Sequence, residues 1–323
     1  MKNLTTDLKI LYEETINNLK SSKSANTFRA YKSDFRDFSL FCTKHGLKSM
    51  PTNPNTVTIY LTNLSNSGVK ISTLRRRLVS ISVLHKLKGH YLDTKHPIII
   101  ENLLGIKRVK GSIQRGKKPL LINSLQKLIE EINNDISPKI KKLRDKSLIL
   151  IGFSGGFRRS EITALDYEDL EFVEEGLKIL VRRSKTDQFG EGYLKGIPYF
   201  ASSSLCPVKS LKEWTKISKI NSGPIFRKFN KGFSLSNLRL SDQSVALLIK
   251  NYLNLAGIDS KNYSGHSLRS GFATVTAEAG ADERSIMAMT GHKSTQMLRR
   301  YIKEANIFKN NALNKININL DEK

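Results

Sequence analysis

The chain has 323 residues, more than one hydrophobic core usually organises, so we expect two domains. Hydrophobic residues make up 39% of it and charged residues 26%, which argues against general disorder. Its 54 lysines and arginines against 29 acidic residues give a formal net charge of +25, and this excess predicts a polyanionic partner.

Membrane and secreted proteins are excluded by what the sequence lacks. No stretch approaches the roughly 18 uninterrupted apolar residues that cross a bilayer, and the first residues, MKNLTTDLK, have no apolar signal-peptide core. Cys42 and Cys206 lie far apart and match no metal-ligand spacing, so we expect free thiols in a reducing compartment. The predicted location is the cytoplasm.

Residues 1–104 are predicted to form a helical domain. The spacing of apolar residues predicts helices over about 4–19, 28–41, 57–64 and from 69 to 84. The expected N-caps are Asn26 or Thr27 for the second helix and Ser72 for the fourth. On the fourth helix, Arg75, Arg76 and Arg77 lie outside the apolar stripe, and they form either a solvated basic face or a set of phosphate contacts.

Residues 105–118, GIKRVKGSIQRGKK, are predicted to be an interdomain linker. The segment is basic, interrupted by glycines and without apolar periodicity, and Pro119 follows it. Lys117 and Lys118 at its end are candidate phosphate contacts, because a basic strap can lie along a nucleic-acid backbone. A solvated linker is the alternative.

Residues 119–323 are predicted to form a mainly α domain that carries a small β element. Two apolar runs at 177–183 and 193–200, joined by a polar loop, predict a β-hairpin. Helices are predicted over 125–132, 143–153, 208–217, 244–256, 268–279, 282–290 and 295–305.

Two segments of this domain offer cations to an anion. In GGFRRSE, the glycines lead into a helix whose free N–H groups, together with Arg158, favour an anion, and a surface arginine paired with Glu161 is the alternative. Lys185 lies in the hairpin loop, where its ammonium either stays solvated or swings into a neighbouring site as a general acid.

Two further segments add histidines, an arginine and a tyrosine. His266 and Arg269 are three residues apart and share a face if they are helical, although such pairs often only pack or are solvated. His292 lies in a bend, because Gly291 is expected to end the preceding helix. Tyr301 follows about two turns into the next helix, and a buried structural tyrosine is the alternative.

Together these residues supply the chemical groups that phosphoryl transfer without a metal requires. Two arginines can hold the non-bridging oxygens and offset developing charge, and a tyrosine can attack phosphorus to form a covalent ester. The lysine can protonate the departing oxygen. The sequence shows no carboxylate cluster for a metal and no glycine-rich nucleotide loop, so we expect neither a metal nor another cofactor.

The sequence resembles the tyrosine recombinase, or phage integrase, family. The family's motifs are an arginine in a G-x-R-x-S-E box, a hairpin lysine, an H-x-x-R box, a G-H pair and a tyrosine nine residues after that histidine. This sequence presents, in that order, Arg158, Lys185, His266, Arg269, His292 and Tyr301. The stretches NTFRAYKSDFRDF and STLRRRLVSI also resemble the family's helical core-binding domain, so the resemblance covers about residues 8–301.

The resemblance implies a SAM-like N-terminal domain and a mixed α/β catalytic domain that clamp duplex DNA. Tyr301 would attack the scissile phosphate and leave a 3′-phosphotyrosyl bond, with Lys185 protonating the 5′-oxygen. Arg158 and Arg269 would hold the phosphate with help from His292, and His266 would take the tyrosine proton. Two strand exchanges in a homotetramer would pass through a Holliday junction on the nucleoid, without ATP, metal or other cofactor.

The residues after Tyr301 form an amphipathic pattern suited to docking in a groove, and they include Ile307, Phe308, Leu313 and Ile316. The tail either packs on its own domain or, as the resemblance favours, docks on a neighbouring subunit.

Three other functions compete with recombination. A catalytically silent DNA-binding protein would not require all six catalytic groups. A type IB topoisomerase-like enzyme shares the chemistry, but the N-terminal domain and the tail disfavour it. A metal-dependent nuclease would require an Asp, Glu or His cluster that the sequence lacks. Integration, excision, dimer resolution and inversion, in a mobile element or elsewhere, all stay open, because the role depends on where the target sites lie.

Overall fold

The computed structural model describes residues 6–21, 24–111, 116–184, 187, 191–200, 204–291, 294–296 and 298–299. The chain divides into two compact units, Met1–Arg115 and Gly116–Lys323. Among the helices in these ranges, none is long and apolar enough to span a membrane.

The first unit is helical, as predicted. Its described helices are α1 (Thr6–Ser21), α2 (Ala25–Lys44), α3 (Pro54–Asn66), α4 (Ile71–Leu87) and α5 (Pro97–Lys110). Apolar residues from α2 to α5 meet in one core, which includes Phe38, Tyr60, Ile81 and Ile99. On α1, Leu8 and the other described apolar side chains are exposed.

Helix starts and the linker differ from the prediction in this unit. Helix α2 begins earlier than predicted, and its N-cap is Ser24 rather than Asn26 or Thr27, since the Ser24 hydroxyl accepts the Thr27 N–H at 3.3 Å. Helix α4 has Lys70 at its N-cap, so Ser72 lies inside the helix. The predicted linker over 105–118 is wrong for its first six residues, because α5 continues to Lys110.

In its described residues, the second unit combines seven helices with two small sheets. Its described elements are α6 (Ile122–Asn134), α7 (Lys139–Ser154), α8 (Arg159–Ala164), β1 (Leu170–Phe172), β2 (Gly176–Val181), β3 (Tyr193–Pro198), α9 (Pro207–Ser218), β4 (Arg227–Phe229), β5 (Leu235–Arg239), α10 (Asp242–Leu255), α11 (Ser267–Glu278) and α12 (Glu283–Thr290). The mainly α fold with a small β element is therefore confirmed. Most of the predicted helix over 295–305, and the whole tail after it, lie outside the described residues.

The predicted hairpin is the centre of the larger sheet. Strands β1, β2 and β3 are antiparallel in that order, and Leu177 of β2 pairs with Ile197 of β3. Strands β4 and β5 form a separate antiparallel pair. Strands β1, β4 and β5 were not predicted, because runs of three to five residues carry almost no periodicity.

Helix α7 is the central element of the second unit. It is buried on all sides, since ten of its 16 residues, Arg144 and Asp145 among them, are buried. It packs against α6, α8, α9 and α11. Its C-terminal end therefore fixes where the turn Gly155–Gly156–Phe157 and the following Arg158 lie.

The segment that enters the second unit is bonded to it, which corrects the other end of the predicted linker. The Lys118 N–H donates to the Asn262 carbonyl at 2.7 Å, and the Leu120 N–H donates to the Ser267 carbonyl at 2.9 Å. Gly271 on α11 lies so close that a Cβ there would be 2.1 Å from the Leu120 carbonyl oxygen. Residues 116–118 thus belong to the second unit.

We expect Gly271→Ala to lower the free energy of unfolding of the second unit by about 1–3 kcal/mol, because its methyl group would force α11 and Leu120 apart. Trp214, the single tryptophan of the chain, is buried in this unit, so its fluorescence reports this unfolding directly.

The matched control is Gly196→Ala on β3, where an added Cβ would meet nothing within 4 Å. Its unfolding free energy should change by less than about 1 kcal/mol. Equal effects of the two substitutions would contradict the close approach at Gly271.

Candidate active site

The turn after α7 presents Arg158 at the start of α8. Gly156 has a φ of +55°, which favours glycine, and a Cβ there would be in tight contact with Phe272 at 3.0 Å and Thr290 at 3.1 Å. Arg158 occupies the N-cap of α8, and its side chain is 16% exposed. The glycine-led helix start predicted from the sequence is confirmed.

Glu161 is the carboxylate closest to this arginine. It lies one turn into α8, is buried, and accepts both the Arg158 backbone N–H at 3.0 Å and its Nη1 at 2.5 Å. The predicted Arg158–Glu161 pair is therefore present, but it is mostly buried rather than on the surface. Since the carboxylate fixes the guanidinium from one side, Arg158 keeps further N–H groups for an anion.

Arg269 reaches the same turn from α11. It is 1% exposed, and its Nη1 donates to the Gly156 carbonyl at 3.1 Å. His266 immediately precedes α11 with a helical backbone, and its side chain is exposed. The two residues of the H-x-x-R box thus differ in burial: the arginine belongs to the interior of the site, whereas the histidine faces solvent at its edge.

Lys195 is a buried cation in this site that the sequence analysis missed. It lies on β3, is 1% exposed, and its Nζ donates to the Gly155 carbonyl at 2.5 Å. The Nζ lies 4.0 Å from the centre of the Phe157 ring. Burial lowers the pKa of Lys195 to about 7, Glu161 acts to raise this pKa, and Arg269 and Arg158 act to lower it. The alternation of strand β3 could have indicated this burial, because Lys195 lies two residues before Ile197 and so on the same, inward face.

Tyr193, also on β3, links the hairpin to the end of α12. Gly291 ends α12 with a φ of +61°, as the sequence predicted, and a Cβ there would be 2.9 Å from the Tyr193 hydroxyl. Burial, followed by the charge of Glu161, raises the pKa of Tyr193 to about 12, so the phenol is neutral at physiological pH. His292 follows Gly291 directly in the sequence.

Three predicted catalytic residues, Lys185, His292 and Tyr301, lie outside the described residues. Among the described residues of this loop, the Asp187 carboxylate accepts the N–H groups of Glu191 at 3.2 Å and Gly192 at 2.9 Å. The structure thus brings Arg158 and Arg269 to one turn and places His266 at the first residue before α11. The roles of all six residues stay predictions.

The three arginines of α4 are not equivalent. Arg76 forms an ion pair with Asp34 on α2, and Arg77 forms one with Asp37 and donates to the Tyr60 hydroxyl at 2.5 Å. Arg75 is exposed, and the described residues include no acidic group that pairs with it. Among the described residues, Arg75 is therefore the arginine of this set whose charge no acidic side chain offsets.

Lys117 and Lys118 are exposed at the surface of the second unit, where the Lys117 ammonium donates to the Lys261 carbonyl at 2.5 Å. Over the ranges that the structure describes, no group of three or more His, Cys, Asp or Glu residues could hold a metal ion.

Family models match both units of the chain. The phage integrase family model matches residues 120–306, and the model of the phage integrase N-terminal SAM-like domain matches residues 12–89. An integrase/recombinase XerD homolog of Selenomonas ruminantium is 42% identical over 301 residues, covering 92% of this chain and 87% of that protein. Tyrosine recombinase XerC of Syntrophus aciditrophicus is 26% identical over 307 residues, covering 88% of each.

Solved structures share the fold. The XerH site-specific recombinase bound to a palindromic difH substrate has a TM-score of 0.60 at 18% identity, covering 81% of this chain and 73% of that one. The Tn1549 transposon integrase in complex with circular intermediate DNA also has a TM-score of 0.60, at 17% identity, covering 90% of this chain and 93% of that one. With a matched family model over more than half of its length, the chain belongs to the phage integrase family of tyrosine recombinases.

Proposed function

We propose that this chain is a site-specific recombinase that cuts and rejoins duplex DNA through a 3′-phosphotyrosyl intermediate on Tyr301, without metal or ATP. The observation that carries the proposal is the meeting of Arg158 and Arg269 at one turn, beside the buried Glu161. Two guanidinium groups beside the same turn offer the planar donors that hold a phosphate diester and offset charge in its transition state.

The chemistry balances with groups of the chain alone. The Tyr301 oxygen attacks phosphorus and passes its proton to His266, while the bond from phosphorus to the 5′-oxygen breaks. Lys185 gives a proton to that oxygen, and Arg158 and Arg269, assisted by His292, hold the non-bridging oxygens. Because the ester with Tyr301 keeps the bond energy, attack by a 5′-hydroxyl reverses the step and rejoins a strand.

The relatives support recombination over the competing functions. Two similar structures are of recombinases or integrases bound to DNA, and the curated relatives carry recombinase names. The match of the N-terminal SAM-like domain disfavours a topoisomerase-like enzyme. Where the two target sites lie determines whether the reaction integrates, excises, resolves or inverts DNA.

Strand exchange requires more than one active site. We propose that four copies act on two duplexes, exchange one pair of strands to form a Holliday junction, and then exchange the other pair. The tail, with Ile307, Phe308, Leu313 and Ile316, would dock on a neighbouring copy, because an amphipathic segment binds stably only when its apolar face is covered. Such an enzyme acts where the chromosome lies, in the cytoplasm at the nucleoid.

We expect Tyr301→Phe to abolish covalent attachment to DNA while leaving DNA binding intact, because the substitution removes only the nucleophilic oxygen. The measurement traps adducts on nicked suicide duplexes from a genomic library, in chelator and without ATP. Sequencing the trapped DNA identifies the target site.

The matched control is Tyr91→Phe, which removes a hydroxyl from an exposed tyrosine of the first unit and should form adducts like the unmodified protein. Adducts with Tyr301→Phe would place the nucleophile elsewhere. Tight, specific binding without any adduct from the unmodified protein would favour a silent DNA-binding protein.

Lys185→Ala should lower the rate of cleavage by about 10²–10⁴-fold, the usual contribution of a positioned general acid. A 5′-bridging phosphorothiolate substrate should restore the rate, because its sulfur leaves without protonation. The control is Lys178→Ala on β2, whose ammonium pairs with Glu171 at the surface. Slow cleavage of the phosphorothiolate by Lys185→Ala would show that this lysine is not the acid.

Arg75→Gln should weaken DNA binding and reduce the slope of log affinity against log salt by about 0.9, the value for one lost phosphate contact. Arg77→Gln should instead lower the unfolding midpoint of the first unit, because it breaks the contacts with Asp37 and Tyr60. Binding titrations at several salt concentrations distinguish the two, and an unchanged slope with Arg75→Gln would exclude it as a phosphate contact.

A further inference from the structure

Lys195 is the buried charge that the proposed chemistry leaves without a role. Strand β3 places it on the inner face with Ile197, and only 1% of its surface is exposed. Fully buried lysines are rare, because an ammonium that loses water must find other partners. Because its ammonium donates to a backbone carbonyl, we argue its effect on the reaction through the turn to which that carbonyl belongs.

The partners of Lys195 belong to the turn before Arg158. Its Nζ donates to the Gly155 carbonyl at 2.5 Å and lies over the Phe157 ring, with the centroid 4.0 Å away. Arg269 binds the next carbonyl of the same turn, that of Gly156, at 3.1 Å. Two cations, one from β3 and one from α11, thus hold consecutive carbonyls of a single turn.

The two contacts connect Lys195 to both arginines of the site. Gly156 has a φ of +55°, and the side chains of Phe272 and Thr290 lie close to it. Arg158 follows two residues after Gly156. A shift of the Gly155 carbonyl would therefore move Arg158 and the carbonyl that orients Arg269 together.

We propose that Lys195 is a positioning residue for DNA strand cleavage: its ammonium holds the Gly155 carbonyl and thereby fixes the turn that leads into Arg158 and supplies the Gly156 carbonyl to Arg269. The proposal rests on the recombinase function proposed above. Lys195 is distinct from Lys185, ten residues earlier in the hairpin loop, for which the proposed role is direct proton transfer.

The charge of Lys195 depends on pH in the physiological range. Burial lowers its pKa to about 7. The charged groups that act on it are Glu161, which favours the ammonium, and Arg269 and Arg158, which oppose it. On its own sheet it faces the neutral Tyr193 ring, and it pairs with Ile179 of β2. The ammonium is therefore present at low pH and is lost as pH rises through this pKa. A phosphate anion beside the two arginines raises the pKa of Lys195, so the ammonium persists to higher pH when DNA is bound.

The test compares single-turnover cleavage of a pre-bound suicide substrate by the unmodified protein and by Lys195→Met, from about pH 6 to about pH 9. At the low end we expect Lys195→Met to bind DNA normally but to cleave at least about 10-fold more slowly, because misplaced arginines stabilise the transition state less. The rate of the unmodified protein divided by that of Lys195→Met should fall towards one as pH rises, because the unmodified protein then loses its ammonium. Ionisation of Tyr301 affects both proteins equally and cancels in the ratio.

Two further variants keep the test decisive. Lys195→Gln retains a hydrogen-bond donor without charge, and the rate ratio measured with it should fall with pH in the same way. It replaces Lys195→Met in the test if Trp214 fluorescence shows that Lys195→Met is unfolded. Lys178→Met, which removes an exposed lysine from the neighbouring strand, should cleave like the unmodified protein at every pH.

A ratio that stays constant with pH would reduce Lys195 to a packing role and overturn the proposal, as would normal cleavage by both Lys195 variants. Failure of the unmodified protein to form any adduct is a different result, since it would overturn the recombinase function itself.

Discussion

The candidate active site depends on two buried cations that bind consecutive carbonyls of one turn. Lys195 from β3 holds Gly155, and Arg269 from α11 holds Gly156, while Glu161 supplies the opposing charge inside the same cluster. Elements far apart in sequence thereby meet where Arg158 leaves the turn. Each ion would be costly to bury alone, so the opposing charge of Glu161 and the two carbonyls offset the cost of burying the cations. The same contacts connect the site to the fold of the second unit.

The net charge of +25 combines two kinds of basic residue. Some cations, such as Arg77 and Lys195, are bound to carboxylates, a phenol or carbonyls within their own unit and define its shape. Others, such as Arg75 and Lys118, are exposed. The net charge predicts an encounter with DNA, but whether a given basic residue is bound within its unit or exposed depends on its tertiary contacts.

Much of this structure could be predicted from the sequence, because long periodic segments and short motifs carry their own signals. The hairpin, the glycine-led start of α8 and the end of α12 at Gly291 follow the prediction. Helix α5 was not predicted, and its last six residues were assigned to the linker, since only Ile99 and Leu103 of this helix are buried and its end is basic. The role of Lys195 was also missed, because its partners are carbonyls from a distant turn, and no local pattern records them.

The most direct test of the proposed mechanism is to identify the residue that carries the DNA. A trapped adduct of the unmodified protein would be digested with nuclease and trypsin and analysed by mass spectrometry. Trypsin cuts after Arg300 and Lys303, so the nucleophile would lie in a peptide with Tyr301 as its single tyrosine. We predict nucleotide mass on that peptide, in a reaction run in chelator and without ATP. Nucleotide mass on any other peptide, or an adduct that forms only with added metal, would contradict the mechanism.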